Sequence, residues 1–336
     1  MTPDMTISGF SMGKNALKLY YPMKQAIMSI LPVVDEFVVA LGQGDEDDFT
    51  RREIESINSS KIRIIDTIWE VNKYPKGTEH AHQTDIAKSY CNGNWLFYLQ
   101  SDELIHEKDL SIIQQRCKEL LYDEEVEGLV FNYIHFWGDY QHYQDGHCWY
   151  TDEIRIIRND PDIHSWQSAQ SFRRIPGFSG KNYRQTHGAY KLKVAKVNAT
   201  VYHYGWVRPP ALMQQKIKSF NINHIGREEV ERLSQLKMYD GLFDYGNITR
   251  FKKYAGTHPA VMRNWIEKYD WDEQLRKKGP ARSRNKLQLK HDLLKYRIVS
   301  WLEKHLFFGR KLGDFGNYIL LRRLNAKAQR HKGSAK

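Results

Sequence analysis

The stretch WLFYLQSDELIHE, residues 95–107, joins an apolar run to two adjacent acids, Asp102 and Glu103. The run Trp95-Leu96-Phe97-Tyr98-Leu99 reads as a buried strand. A strand that delivers a carboxylate at its tip can hold a divalent cation. Mg2+ and Mn2+ prefer hard oxygen ligands and keep open positions for phosphate oxygens. The plainer reading is a strand that surfaces there with solvated acids.

Such acids need a frame, and the first hundred residues supply one. Residues 6–10, 35–41 (DEFVVAL) and 61–65 (KIRII) read as strands, and residues 21–31, 50–57 and 85–91 as helices. Strand and helix alternating at this pitch imply βαβ units and a mostly parallel sheet, an α/β fold. Ligands of such sheets bind outside the carboxyl ends of the strands. Gly9-Phe10-Ser11, the loop 42–48, Asp66 and Asp102 all fall there. Beyond the opening strand, residues 109–121 read as a helix. Residues 127–133 (EGLVFNY), 153–157 (EIRII) and 192–201 (LKVAKVNATV) read as strands. Pro209-Pro210 marks a boundary, giving a domain over 1–210 and a mainly helical, basic region over 211–336. Helical patterns there cover 211–224, 228–238, 260–268 and 287–305.

Composition narrows the function. Residues 276–336 hold 18 Lys+Arg against three acids, a surplus of +15 within a net charge of +11, so the other 275 residues sum to −4. Basic character is therefore no property of the domain carrying Asp102, which argues against a nucleic-acid enzyme with a basic cleft. No apolar stretch approaches the length of a membrane span. The N-terminus lacks a secretory pattern, and Cys91, Cys117 and Cys148 have no metal-like spacing. Reduced thiols and a cytoplasmic location are expected.

The order of these segments resembles glycosyltransferase family 2, of GT-A fold, over roughly residues 5–210. VVALGQGDEDDFT matches the strand that ends in an acidic, glycine-containing loop. NGNWLFYLQSDELIHEKDL matches the strand that closes on the family's Asp-x-Asp motif, with Gln100 in place of the first Asp. The resemblance implies transfer of a sugar from a nucleotide-diphosphate donor, with inversion, to a glycan or lipid-linked acceptor of bacterial surface-polysaccharide or lipopolysaccharide type. It implies Mn2+ or Mg2+ at Asp102, with Glu103 sharing the cation and His203 of Tyr202-His203-Tyr204-Gly205-Trp206 as a further ligand. A core histidine is the alternative for His203. Phe10, Ser11, Gly42, Asp45, Asp66, Asp85, Gln100 and Ser101 would line the nucleotide-sugar pocket. An inverting transferase also needs a base. Asp152 and Glu153, after the aromatic-rich loop WGDYQHYQDGHCWY, are the candidates, with solvated turn residues as the alternative. Arg155, Arg158, Arg173, Arg174 and Arg184 can meet diphosphate or form surface pairs. A nucleotidyltransferase would want a better phosphate loop than Gly9-Phe10-Ser11-Met12-Gly13-Lys14. Gln100 keeps open a degenerate transferase that only binds sugar or protein.

In LLKYRIVSWLEKHLFFGRKL, residues 293–312, one helical face carries Leu294, Ile298, Trp301, Leu302 and His305. That face is expected to pack on the domain, with basic residues in water. The +15 surplus still suggests weak attraction to an anionic membrane surface, hence a peripheral location at the inner face of the cell membrane.

Overall fold

Alternation within the strands builds a sheet covered on both faces. In Phe37-Val38-Val39-Ala40-Leu41, the odd-numbered residues enter one apolar cluster and Val38 and Ala40 enter another. In the computed structural model, which describes residues 5–308, 311–313, 316–322 and 324, this rule recurs across the sheet. The central strands are β1 (Ile7–Gly13), β2 (Glu36–Gly42), β3 (Ile62–Thr67) and β4 (Trp95–Tyr98); β5 (Glu103–Ile105) follows directly. Next come β6 (Gly128–Trp137), β7 (His142–Gln144), β8 (Asp152–Arg158), β9 (Ile163–Trp166), β10 (Ser171–Arg174) and the long β11 (Tyr190–Trp206). Two short strands, β12 (Lys252–Lys253) and β13 (Tyr318–Leu320), complete the described set.

The order is β3-β2-β1-β4-β8-β6-β11-β10-β9. β3, β2, β1 and β4 run parallel, β8 is antiparallel between β4 and β6, and β6 pairs parallel with β11. The expected α/β architecture is present, with the EIRII strand set antiparallel between two parallel neighbours. Helices α1 (Met23–Ile30), α2 (Thr50–Glu55) and α4 (Leu110–Glu119) cover one face. Helix α3 (Thr78–Ser89) contributes Ala87 to the other. It begins seven residues before the expected helix at 85–91. Its first turns bury Thr78, Glu79, Gln83 and Thr84, polar residues that carry no hydrophobic period.

Past Pro209, the chain forms α5 (Pro210–Ile225), α6 (Arg227–Gln235), the short α7 (Arg263–Ile266) and α8 (Leu294–His305). A third apolar cluster crosses Pro209-Pro210. Met213, Phe243, Tyr245, Met262, Trp265 and Trp271 pack with Leu104, Phe136, Trp137, Tyr140, Tyr202 and Tyr204. Among the described residues no helix is long and apolar enough to cross a membrane. The basic tail from residue 325 onward, part of the segment expected to meet a membrane surface, lies outside the described residues.

One ion pair joins the layers at the end of β4. Arg155 of β8 grips Glu103 with Nε to Oε2 and Nη2 to Oε1, both at 2.7 Å, and neither side chain is exposed. Tyr133 Oη and the Gln100 backbone N–H also donate to Glu103, at 3.0 and 3.1 Å. Removing one partner of a buried pair leaves an uncompensated charge, at a cost of about 3–5 kcal/mol. Glu103→Ala is therefore expected to lower unfolding free energy in urea by that order. A loss under about 1 kcal/mol would mean that the pair is not a support of the fold.

Candidate functional site

Asp102 and Glu103 are adjacent but serve opposite sides of the turn. Glu103, expected beside Asp102 at a cation, is turned inward to Arg155. Asp102 remains, and β11 returns to meet it. β5 pairs antiparallel with β11 so that His203 lies opposite Glu103, and Tyr204 N donates to Asp102 O at 2.8 Å. His203 Nε2 then stands 3.7 Å from Asp102 Oδ2.

The hydrogen bonds assign the tautomer of His203. His135 Nε2 faces the Tyr150 carbonyl at 2.8 Å, so this nitrogen carries a proton. Burial holds His135 well below the usual histidine range, with His203 adding to the effect, so its ring is neutral and its Nδ1 is an acceptor. The contact at 2.9 Å between the two Nδ1 atoms therefore has His203 as donor. With its Nδ1 proton directed to His135, His203 presents Nε2 as the ring nitrogen that faces Asp102. Gly205 keeps the gap open, since a Cβ there would sit 2.4 Å from Asp102 Oδ2 and 2.6 Å from His203 Nε2.

Two cations that the sequence reading did not select stand close by. Arg208, directly before Pro209-Pro210, is fully buried. Its Nη1 donates to Leu19 O at 2.7 Å and its guanidinium lies 4.3 Å from the centre of the Tyr21 ring. Its Nε and Nη2 have no hydrogen-bond partner among the described residues. Lys216 of α5 is also buried, with Nζ 4.4 Å from the centre of the Trp206 ring. Burial, reinforced by Arg208 and opposed by Asp102, pulls the Lys216 ammonium down to about 7. Burial alone would raise Asp102, but His203, Lys216 and Arg208 outweigh it and hold the carboxyl at about 2. Asp102 is thus an anion at every working pH, facing an excess of positive charge.

Further buried polar atoms without a hydrogen-bond partner among the described residues occur at the ends of β1 and β3. They include Ser11 Oγ, Thr67 Oγ1 and Trp69 Nε1. Gly42 lets the Trp69 indole approach, because a Cβ at Gly42 would meet Trp69 Nε1 at 2.4 Å. Ser101 is anchored here by its hydroxyl, which donates to Met12 O at 3.0 Å. Ser11, Gly42 and Ser101 therefore sit at the carboxyl ends of the strands with Asp102 and His203.

The other expected residues are placed elsewhere or tied to neighbours. Phe10 is a core side chain against Tyr98 and Phe172. Asp45 pairs with Lys18 at 2.7 Å, shaping the acidic loop. Asp66 is exposed and pairs with Arg51. Asp85 accepts from His164 Nδ1 and Ser165 N, both at 2.8 Å, and so fastens α3 to β9. Gln100 Nε2 donates to Ala169 O at 3.0 Å. Asp152 pairs with Lys196 at 2.9 Å. Glu153 is buried and accepts from Ser171 Oγ at 2.9 Å and Asn317 Nδ2 at 2.8 Å, while burial raises its pKa. Among the described residues no group of three His, Cys, Asp or Glu side chains is placed to hold a metal ion. Asp102 and His203 form a pair, and 3.7 Å is less than two metal–ligand bonds of about 2.1 Å each. The pair fits a divalent cation whose remaining positions are filled by ligand oxygens and water.

No family model matches this chain, and no curated protein matches it. Solved structures with a similar layout include glucosyl-3-phosphoglycerate synthase from Mycobacterium tuberculosis in complex with Mn2+, UDP and phosphoglyceric acid. That structure is 18% identical with a TM-score of 0.28, over 38% of this chain and 43% of the other. S. aureus TarS 1-349 is 14% identical with a TM-score of 0.35, over 65% of each chain. This chain thus spans less than two thirds of either, and at these scores the site itself has to carry the function.

The arrangement predicts that Lys216 takes up a proton when an anion binds. Lys216 is cationic below about 7 and neutral above it. A bound diphosphate favours the charged form, so binding above this value takes up a proton and affinity falls as pH rises. Calorimetry with inorganic pyrophosphate at pH ~8, in buffers of different ionisation enthalpy, should show more proton uptake by wild type than by Lys216→Met. Equal uptake by the two proteins would remove Lys216 from the site.

Proposed function

We propose that the chain is a GT-A-type glycosyltransferase that takes a sugar from a nucleoside diphosphate and passes it to an acceptor hydroxyl. One observation carries this reading. A carboxylate, an imidazole nitrogen and two cations with unused binding capacity converge where a parallel sheet ends.

In this reaction the bond from the anomeric carbon to the diphosphate oxygen breaks, a bond to the acceptor oxygen forms, and the acceptor hydroxyl gives up its proton to a base or to water. Negative charge develops on the departing diphosphate. Arg208 and Lys216, already desolvated, are set to offset it without reorganisation. Asp102 and His203 would hold a divalent cation, which would supply Lewis-acid neutralisation of the same charge. His135 keeps the His203 proton on Nδ1 and so keeps Nε2 available. Ser11, Thr67 and Trp69 offer the nucleotide-sugar donor hydrogen bonds that nothing described in the chain satisfies. Inversion, and a glycan or lipid-linked acceptor, are the course and substrate class that the family resemblance supports.

Screening UDP-, GDP- and TDP-sugars for release of free nucleoside diphosphate, with and without Mn2+, tests the proposal. At least one donor should be turned over, more with Mn2+ than without. Asp102→Asn should abolish that release while leaving the unfolding temperature unchanged. Release at the wild-type rate by a folded Asp102→Asn protein, or no release from any donor, would contradict the reading.

A further inference from the structure

Helix α8 is attached to the protein by its polar side. Glu303 is buried and accepts from Leu312 N at 2.7 Å; its Oε1 also lies 2.6 Å from His147 Nδ1. Ser300 Oγ accepts from His147 N at 2.8 Å. The apolar face, expected to pack on the domain, points the other way. Leu294, Ile298 and Trp301 lie at i, i+4 and i+7 and are 68%, 51% and 56% exposed. Leu306, Phe307 and Phe308 continue the exposed apolar surface beyond the helix. A helix whose role is to cover a core turns its apolar stripe inward. Here an internal polar anchor holds the stripe outward.

Charge identifies what covers it. Lys290, just before α8, and Lys295, Arg297 and Lys304 within it are exposed. The two acids among residues 276–308, Asp292 and Glu303, are both buried. Asp292 accepts from Ser283 Oγ at 2.5 Å. The face is therefore apolar and cationic with no exposed carboxylate between residues 276 and 308. We propose that α8 and residues 306–308 dock on an anionic lipid bilayer, with the Leu, Ile, Trp and Phe side chains entering the headgroup–acyl boundary and the Lys and Arg side chains meeting lipid phosphates. Interfacial helices have this composition, and Trp settles at that depth. A nucleic acid would meet the cations but leave the aliphatic stripe in water. A second copy would bring two +15 segments together, which like-charge repulsion disfavours.

The full chain is tested by co-sedimentation with vesicles of equal phosphatidylglycerol and phosphatidylcholine, with pure phosphatidylcholine vesicles as the comparison. The wild type should sediment with the mixed vesicles at low salt and far less with the neutral ones. The double variant Ile298→Glu/Trp301→Glu should bind the mixed vesicles at least about tenfold more weakly, with the thermal unfolding of the wild type retained. The proposal is overturned if the wild type stays in the supernatant, or if the folded variant binds as well as the wild type. It is also overturned if the wild type self-associates in sedimentation velocity through these residues without binding vesicles.

Discussion

The Arg155–Glu103 ion pair decides which of two neighbouring acids faces the site. Buried charges are tolerated only when paired and hydrogen-bonded, and here both partners are. Glu103 receives Arg155, Tyr133 and Gln100, while Arg155 Nη1 also donates to Ile154 O and Gln170 O at 2.7 and 3.0 Å. With Glu103 fixed inward, the turn after β4 has one register, and Asp102 emerges on the side to which β11 returns. The partner lies 52 positions away in the chain, on the antiparallel strand β8. The site thus depends on a strand that contributes no residue to it.

Electrostatics then give the site its selectivity for charge. Asp102 stands against His203, Lys216 and Arg208; burial is the main cause that depresses Lys216, and the neighbouring Arg208 adds to it. A ligand carrying two negative charges restores the balance. On the proposed reading, a divalent cation at Asp102 and His203 and a diphosphate against Lys216 and Arg208 would support one another, since each would offset charge left by the other. This arrangement also accommodates Gln100. With its side chain bonded to Ala169 O, it need not supply a ligand.

Much of the frame was legible because burial writes a period into the sequence. β1 to β4, α1, α2 and α4 each carry an apolar alternation or stripe, and their limits fall within a few residues of those expected. The start of α3 was not legible, since it buries Thr78, Glu79, Gln83 and Thr84, polar side chains without an apolar stripe. Short strands β5, β9 and β10 lack the length for a pattern. At the site, Asp102 and His203 could be selected by type and position at strand ends. Arg208 and Lys216 could not, because Pro209-Pro210 signals a break while the third core cluster continues across it. Glu103 and Glu153 look like ligands or bases in sequence, but distant partners (Arg155 for one, Ser171 and Asn317 for the other) hold them as parts of the scaffold. His135 also emerges only from the β6–β11 register, which sets it opposite His203.

The central claim is that the gap between Asp102 and His203 is where a cation and a diphosphate meet. Gly205 borders that gap without supplying a ligand, so Gly205→Ala fills it while leaving both ligands in the chain. The most direct measurement is Mn2+ affinity in the presence of nucleoside diphosphate, followed by electron paramagnetic resonance of free Mn2+. Binding by Gly205→Ala should be weaker by about tenfold or more, with wild-type thermal unfolding. Wild-type Mn2+ affinity in a folded Gly205→Ala protein would place the cation elsewhere and contradict the account.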